Sequence, residues 1–126
     1  MHLRSTLIKL SAKFYLISAV LWTILTLYLS LISAREASKF NVWDFVGFDK
    51  LAHLIFYCIF CFLWCMGFRE SNNSQKKILF FSVSFGVLME ICQLYLFNGR
   101  SFELFDIIAN IIGSVVGLIL FKKIIN

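Results

Sequence analysis

Four apolar runs divide the chain. Phe14 to Ser33 is twenty residues without a charge, and Leu51 to Phe68 is eighteen in which only His53 titrates near neutral pH. Ile78 to Phe97 is twenty with one carboxylate, Glu90, and Leu104 to Phe121 is eighteen with Asp106 near its start. A helix rises about 1.5 Å per residue, so each run spans roughly 27–30 Å, the thickness of the hydrocarbon core. Strands of a membrane barrel need only about ten residues and alternate apolar with polar; these runs do not alternate. The pattern predicts an all-α integral membrane four-helix bundle. Its helices fall at about 14–33, 51–68, 78–97 and 104–121, within a single domain over 1–126.

Composition agrees with this reading. The chain is 60% hydrophobic and 15% charged, with no proline and a mean hydropathy of +0.85. An ordinary soluble domain is about 45–50% apolar and about 25% charged. A small fold leaves about a third of its unfolded-state surface exposed, so it cannot hide this much apolar surface from water. Disorder, a secreted disulfide scaffold and a typical soluble enzyme are excluded. The first run is too long for the apolar region of a signal peptide, about 7–15 residues, and Ile32-Ser33-Ala34 is a poor cleavage site, so it reads as an uncleaved helix. The segment from Ala34 to Lys50 interleaves Phe40, Trp43, Phe45, Val46 and Phe48 with Lys39, Asp44 and Asp49, a mixture suited to the membrane surface. Ser71-Asn72-Asn73-Ser74 reads as a turn.

Charge sets an expected orientation. With four spans, the N-terminal segment, the second connection and the C-terminus share one side. They carry eight basic residues: Arg4, Lys9, Lys13, Arg69, Lys76, Lys77, Lys122 and Lys123. The other side carries four: Arg35, Lys39, Lys50 and Arg100. Basic residues concentrate on the cytoplasmic side of short connections, so both termini are expected inside. The net charge of +5 is mostly this bias, and no basic stripe marks a nucleic-acid surface.

The polar residues within the spans gather towards the other side. His53 and Asp106 lie two positions in from the span boundary and Gln93 four, whereas Tyr57, Glu90 and Asn110 lie six or seven in. The second group sits roughly 9–10 Å deep and the first roughly 3–6 Å, with Asp49, Lys50 and Arg100 at the mouth. Asp49, His53 and Tyr57 recur at i, i+4, i+8 and share a helix face. Asp106, Asn110, Gly113 and Gly117 form another stripe, in which Gly113 and Gly117 are a small-xxx-small pair for close helix packing. Its Asp106–Asn110 end is expected to face an opening. A carboxylate at mid-bilayer costs about 2.5–3.5 kcal/mol on insertion scales, so Glu90 must be protonated or have a cationic partner. Interhelical hydrogen bonds average only about 0.6 kcal/mol, little return for burying two acids, an imidazole and two amides merely as packing.

Cys58, Cys61, Cys65 and Cys92 all lie in apolar spans at helical spacing, so they read as small packing residues and not as a metal or disulfide set. No metal and no cofactor are expected. Trp22 and Trp64 read as apolar bulk.

Asp-Lys-x-x-His-x-x-x-Tyr at 49–57, Glu-x-x-Gln at 90–93, Arg100 and Asp-x-x-x-Asn-x-x-Gly-x-x-x-Gly at 106–117 together resemble the VanZ-like family. The resemblance covers about residues 43–121. One departure is the stretch Leu96-Phe97-Asn98-Gly99, where the family often has a proline. The resemblance implies a small multi-pass protein of the bacterial cytoplasmic membrane and a role in the cell envelope. The family's namesake is associated with low-level teicoplanin resistance. It implies no particular reaction.

These readings lead to one expectation. A polar site in the outer half of the membrane takes an anionic, lipid-linked envelope precursor. His53, Glu90 and Asp106 would supply proton chemistry. Asp49, Lys50, Tyr57, Gln93, Arg100 and Asn110 would bind, with Lys50 and Arg100 on the anionic group. Membrane lipids are the other expected partners, nucleic acid is not, and the pattern assigns no oligomeric state. The alternative is a non-catalytic scaffold or docking module whose polar cluster stabilises helix packing. A proton-coupled carrier fits least, because the other halves of the spans are apolar and no repeat is visible.

Overall fold

The computed structural model describes residues 2–36, 48–96 and 103–126. Within them the chain is helical: α1 His2–Lys9, α2 Ala12–Glu36, α3 Phe48–Gly67, α4 Ser74–Leu96 and α5 Leu104–Ile125. Helices α2 to α5 follow the four apolar runs and are each long enough to cross a membrane; α3 stops one residue short of Phe68, and Phe97 lies outside the described residues. There is no strand among the described residues. Most of the segment expected at the membrane surface, with Phe40, Trp43, Phe45 and Val46, lies outside the described residues, as do Asn98, Gly99 and Arg100.

Helices α3 and α5 form the closest pair. A Cβ added at Gly113 would run into the backbone carbonyl of Leu54, and one at Gly117 into that of Cys58. Four residues along α5 correspond to four along α3, so the two helices are parallel and their backbones nearly touch. Without aqueous solvent to drive association, such close contact is a main source of attraction between membrane helices. Around this pair α4 lays Phe81 and Phe85 on Phe60, with the Phe60 and Phe85 rings stacked at 5.2 Å. Helix α2 is pinned to α3 by two indoles: Trp22 Nε1 donates to the Phe56 carbonyl at 2.9 Å, and Trp64 Nε1 donates to Thr23 Oγ1 at 3.1 Å. The tryptophans are therefore directional links and not only bulk. Cys61 and Cys65 are fully buried among Tyr15, Met66, Ile78 and Phe121, and all four cysteines are free thiols. Large apolar side chains on every span face outward, from Leu21 and Ile24 to Phe80, Leu88 and Ile119. In water such a surface would aggregate; in lipid it is the expected contact.

The short helix α1 packs against the end of the bundle. It is held by Arg4 Nε donating to the Ile124 carbonyl at 2.9 Å and by the Tyr15 hydroxyl donating to the Leu7 carbonyl at 2.7 Å. Arg69 donates to the Leu10 carbonyl and lies over the Tyr15 ring. Both termini and the α3–α4 turn therefore meet at one end of the bundle. That turn uses Asn73 in the left-handed region, φ 63°, which asparagine tolerates better than most residues. The buried titratable groups occupy the opposite end.

Candidate functional site

Three helices deliver side chains to that end. Helix α3 brings Asp49, Lys50, His53 and Tyr57, α4 brings Glu90 and Gln93, and α5 brings Glu103, its N-cap, with Asp106 and Asn110. Glu103 makes no side-chain cap hydrogen bond; its carboxylate is turned to the lysine of α3 instead. Asp106, in the first turn of α5, gains from the helix dipole.

Lys50 is the centre of the upper layer. Its ammonium lies 2.8 Å from Glu103 Oε2, 3.1 Å from Asp49 Oδ2 and 3.3 Å from Asp106 Oδ1. One cation therefore serves three carboxylates. Lys50, Asp49 and Glu103 are partly exposed, whereas the Asp106 side chain is 1% exposed. An ionised carboxylate so deeply withdrawn needs a cation at hand, and Lys50 is one.

One turn deeper, His53 lies between two residues of α5. Its Nδ1 is 2.9 Å from Asn110 Oδ1, and its Nε2 is 3.6 Å from Asp106 Oδ2. An amide oxygen only accepts, so Nδ1 carries the proton of this bond. Nε2 is left to face Asp106. Asp106 thus joins the layers, one oxygen towards Lys50 and the other towards His53. Ligand atoms of His53, Glu90 and Asp106 lie within 4.8 Å of one another, and those of Asp49, Glu103 and Asp106 form a second such trio. The second trio surrounds the Lys50 ammonium.

Below lies Asn110, 1% exposed. The stripe it shares with Asp106 does not face an opening among the described residues, because α3 side chains lie over it. Gly86 of α4 permits this packing: a Cβ there would come within 2.9 Å of Asn110 Nδ2 and 3.1 Å of Tyr57 Cε1. The Tyr57 hydroxyl, Asn110 Nδ2 and Gln93 Oε1 are buried without a hydrogen-bond partner among the described residues. Gln93 turns its amide nitrogen to the Ser30 carbonyl of α2 at 2.7 Å. Deeper still, Ser114 Oγ donates to the Asn110 carbonyl at 2.8 Å and pairs with Ser82 Oγ at 2.6 Å.

A family model described as VanZ/LLP1 matches residues 5–126. The chain belongs to the VanZ/LLP1 family. It is a multi-pass membrane protein with four apolar spans. No curated protein and no solved structure matches it.

Two residues at the polar end of this VanZ/LLP1 chain escaped the reading of its sequence. Glu103 is the shortest contact of Lys50, and its signal was its place three residues before Asp106, on the same face of the first turn of α5. Gly86 was legible as part of the stripe Ser82, Gly86, Glu90 and Gln93, the face that α4 turns towards α3 and α5. Arg100, expected at the mouth, lies outside the described residues.

Proposed function

We propose that the polar end of the bundle opens to the outer leaflet of the bacterial cytoplasmic membrane and takes an anionic, lipid-linked envelope molecule as its ligand. His53 and Asp106 are placed to move a proton on it. The observation that supports this is the gathering of imidazole, carboxylate, amide and ammonium groups from α3, α4 and α5 at one end. A bundle stabilised by packing alone has no use for so many ionisable groups, each costly in lipid. Arg100 would bring a second cation to the mouth, and Tyr57, Gln93 and Asn110 the polar walls. Lys50 is already shared among Asp49, Glu103 and Asp106, so its hold on an anion requires those carboxylates to be partly neutralised.

Binding is tested with purified chain in phosphatidylcholine nanodiscs, with and without a lipid phosphate monoester. Lys50→Ala and Arg100→Ala are expected to abolish phosphate-dependent binding at unchanged protein level; full retention in both overturns the reading. In cells, lipid profiling of a deletion strain complemented with His53→Ala is expected to show the accumulated species of the deletion itself.

The scaffold reading draws support from a specific feature: Gln93–Ser30, His53–Asn110 and Ser82–Ser114 are all bonds between helices. Under it, Glu90→Gln and Asp106→Asn lower the folded yield in detergent. Under the binding reading they leave the yield intact and remove function.

A further inference from the structure

We propose that His53, Glu90 and Asp106 hold a divalent cation. The inference rests on the reading of the polar end as an anion-binding site and names what the site uses to bind.

The geometry of His53 carries the argument. Nδ1 lies 2.9 Å from Asn110 Oδ1, which turns Nε2 to Asp106 Oδ2. A proton would draw them to about 2.7–2.9 Å, the length of a charge-assisted hydrogen bond, yet they stand 3.6 Å apart. Metal–nitrogen and metal–oxygen bonds of about 2.0–2.2 Å at right-angled to tetrahedral geometry place two ligands of one ion about 2.8–3.6 Å apart. The observed separation fits the metal better than the proton. A third ligand atom, from Glu90, lies within 4.8 Å of both. A metal-bound histidine usually donates its other N–H to a carbonyl or carboxylate, which is the part Asn110 plays.

The surroundings give a second, independent indication. The Tyr57 hydroxyl is 2% exposed at the residue level, has no hydrogen-bond partner among the described residues, and lies within the electrostatic reach of Glu90. A water on the ion would give this hydroxyl the partner it lacks. One imidazole with two carboxylates suits zinc or manganese better than magnesium or calcium, which prefer all-oxygen sites. A cation here also resolves the difficulty with Lys50. The ion takes over part of the neutralisation of Asp106, which leaves more of the Lys50 charge for a phosphate.

Manganese is the probe of choice because thiolates bind it poorly, so the four cysteines do not compete. Full-length chain in detergent is titrated with Mn²⁺ and read by electron paramagnetic resonance. We expect one ion per chain with a nitrogen coupling from imidazole. The coupling should vanish in His53→Ala and persist in His2→Ala, the other histidine. Asn110→Ala, which keeps all three ligands, should weaken binding about 10–100-fold, as loss of an orienting partner does. Asp106→Asn should weaken Mn²⁺ binding at least as much, and should it fail to fold, Glu90→Gln serves in its place. Absence of bound ion at millimolar Mn²⁺ in folded chain overturns the proposal, as does a nitrogen coupling that survives in His53→Ala. Lipid phosphate binding that persists undiminished in chelator overturns the cation but leaves the anion site standing. Bound Mn²⁺ without lipid phosphate binding supports the cation and overturns the anion site.

Discussion

At Gly113 and Gly117 the presence of a hydrogen in place of a methyl decides how close two helices come. A Cβ at either position meets a backbone carbonyl of α3, which cannot rotate away, so the whole helix must retreat. At Gly67 the obstacle is Leu16, with its Cδ2 2.6 Å from the built Cβ, and the end of a leucine can change rotamer. Gly113→Ala and Gly117→Ala should therefore destabilise the bundle by about 1–3 kcal/mol, the usual cost of overpacking, and Gly67→Ala by clearly less. Thermal unfolding in detergent checks the order; equal tolerance at all three would deny the backbone contact. His53 makes a similar demand on Asn110. Asn110→Leu keeps the branched skeleton and removes the acceptor, leaving an N–H unpaired at a cost of about 1–3 kcal/mol, to which the bulkier methyl groups against Gly86 add overpacking. The same unfolding measurement reads this loss. The sequence reading placed His53, Asp106 and Asn110 on facing stripes at the right depths. It did not foresee that one imidazole would touch both turns of α5, because periodicity fixes faces and depths but not which way a ring points. Nor did it foresee that Lys50 would be enclosed by carboxylates, since Glu103 sits just outside the apolar run that drew attention to its neighbours.

The elements themselves were legible where the physics is local. A run of eighteen to twenty apolar residues specifies a spanning helix regardless of what packs on it, and each of the four runs corresponds to one helix, α3 ending one residue before its run does. The helices overrun the runs, as α5 does by taking in Lys122 and Lys123, because flanking polar residues at the interface continue the backbone pattern. Helix α1 is the opposite case. Its eight residues are too few for a stable isolated helix, and what holds them is remote: Arg4 on Ile124, Tyr15 on Leu7 and, at the connection to α2, Arg69 on Leu10. Nothing in the local pattern announces such contacts. Arg4→Ala combined with Arg69→Ala should leave the bundle folded while making the segment around Leu10 much more susceptible to brief proteolysis. Unchanged cleavage with an unchanged melting temperature would show that α1 is held by something else.

At the scale of the molecule, the two ends differ in kind. One gathers both termini, the α3–α4 turn and eight basic residues; the other gathers the ionisable groups buried between α3, α4 and α5. The family match and the four spans establish a multi-pass membrane protein, and the distribution of charge predicts a direction for it. Lys and Arg near span ends stay on the cytoplasmic side, and eight against four is a bias that short connections obey. On that expectation the polar end faces outward, which the proposed ligand requires. Fusions to green fluorescent protein and to alkaline phosphatase, placed after Asn126 and separately after Asn72 in the α3–α4 turn, test this directly. Both fluorescent fusions should glow and both phosphatase fusions should be inactive. The paired positions matter, because a fault at one span moves one reporter and a reversed bundle moves both. A reversed bundle would leave the packing intact and turn His53, Lys50 and Asp106 towards the cytosol, where an envelope molecule on the outer leaflet does not reach them.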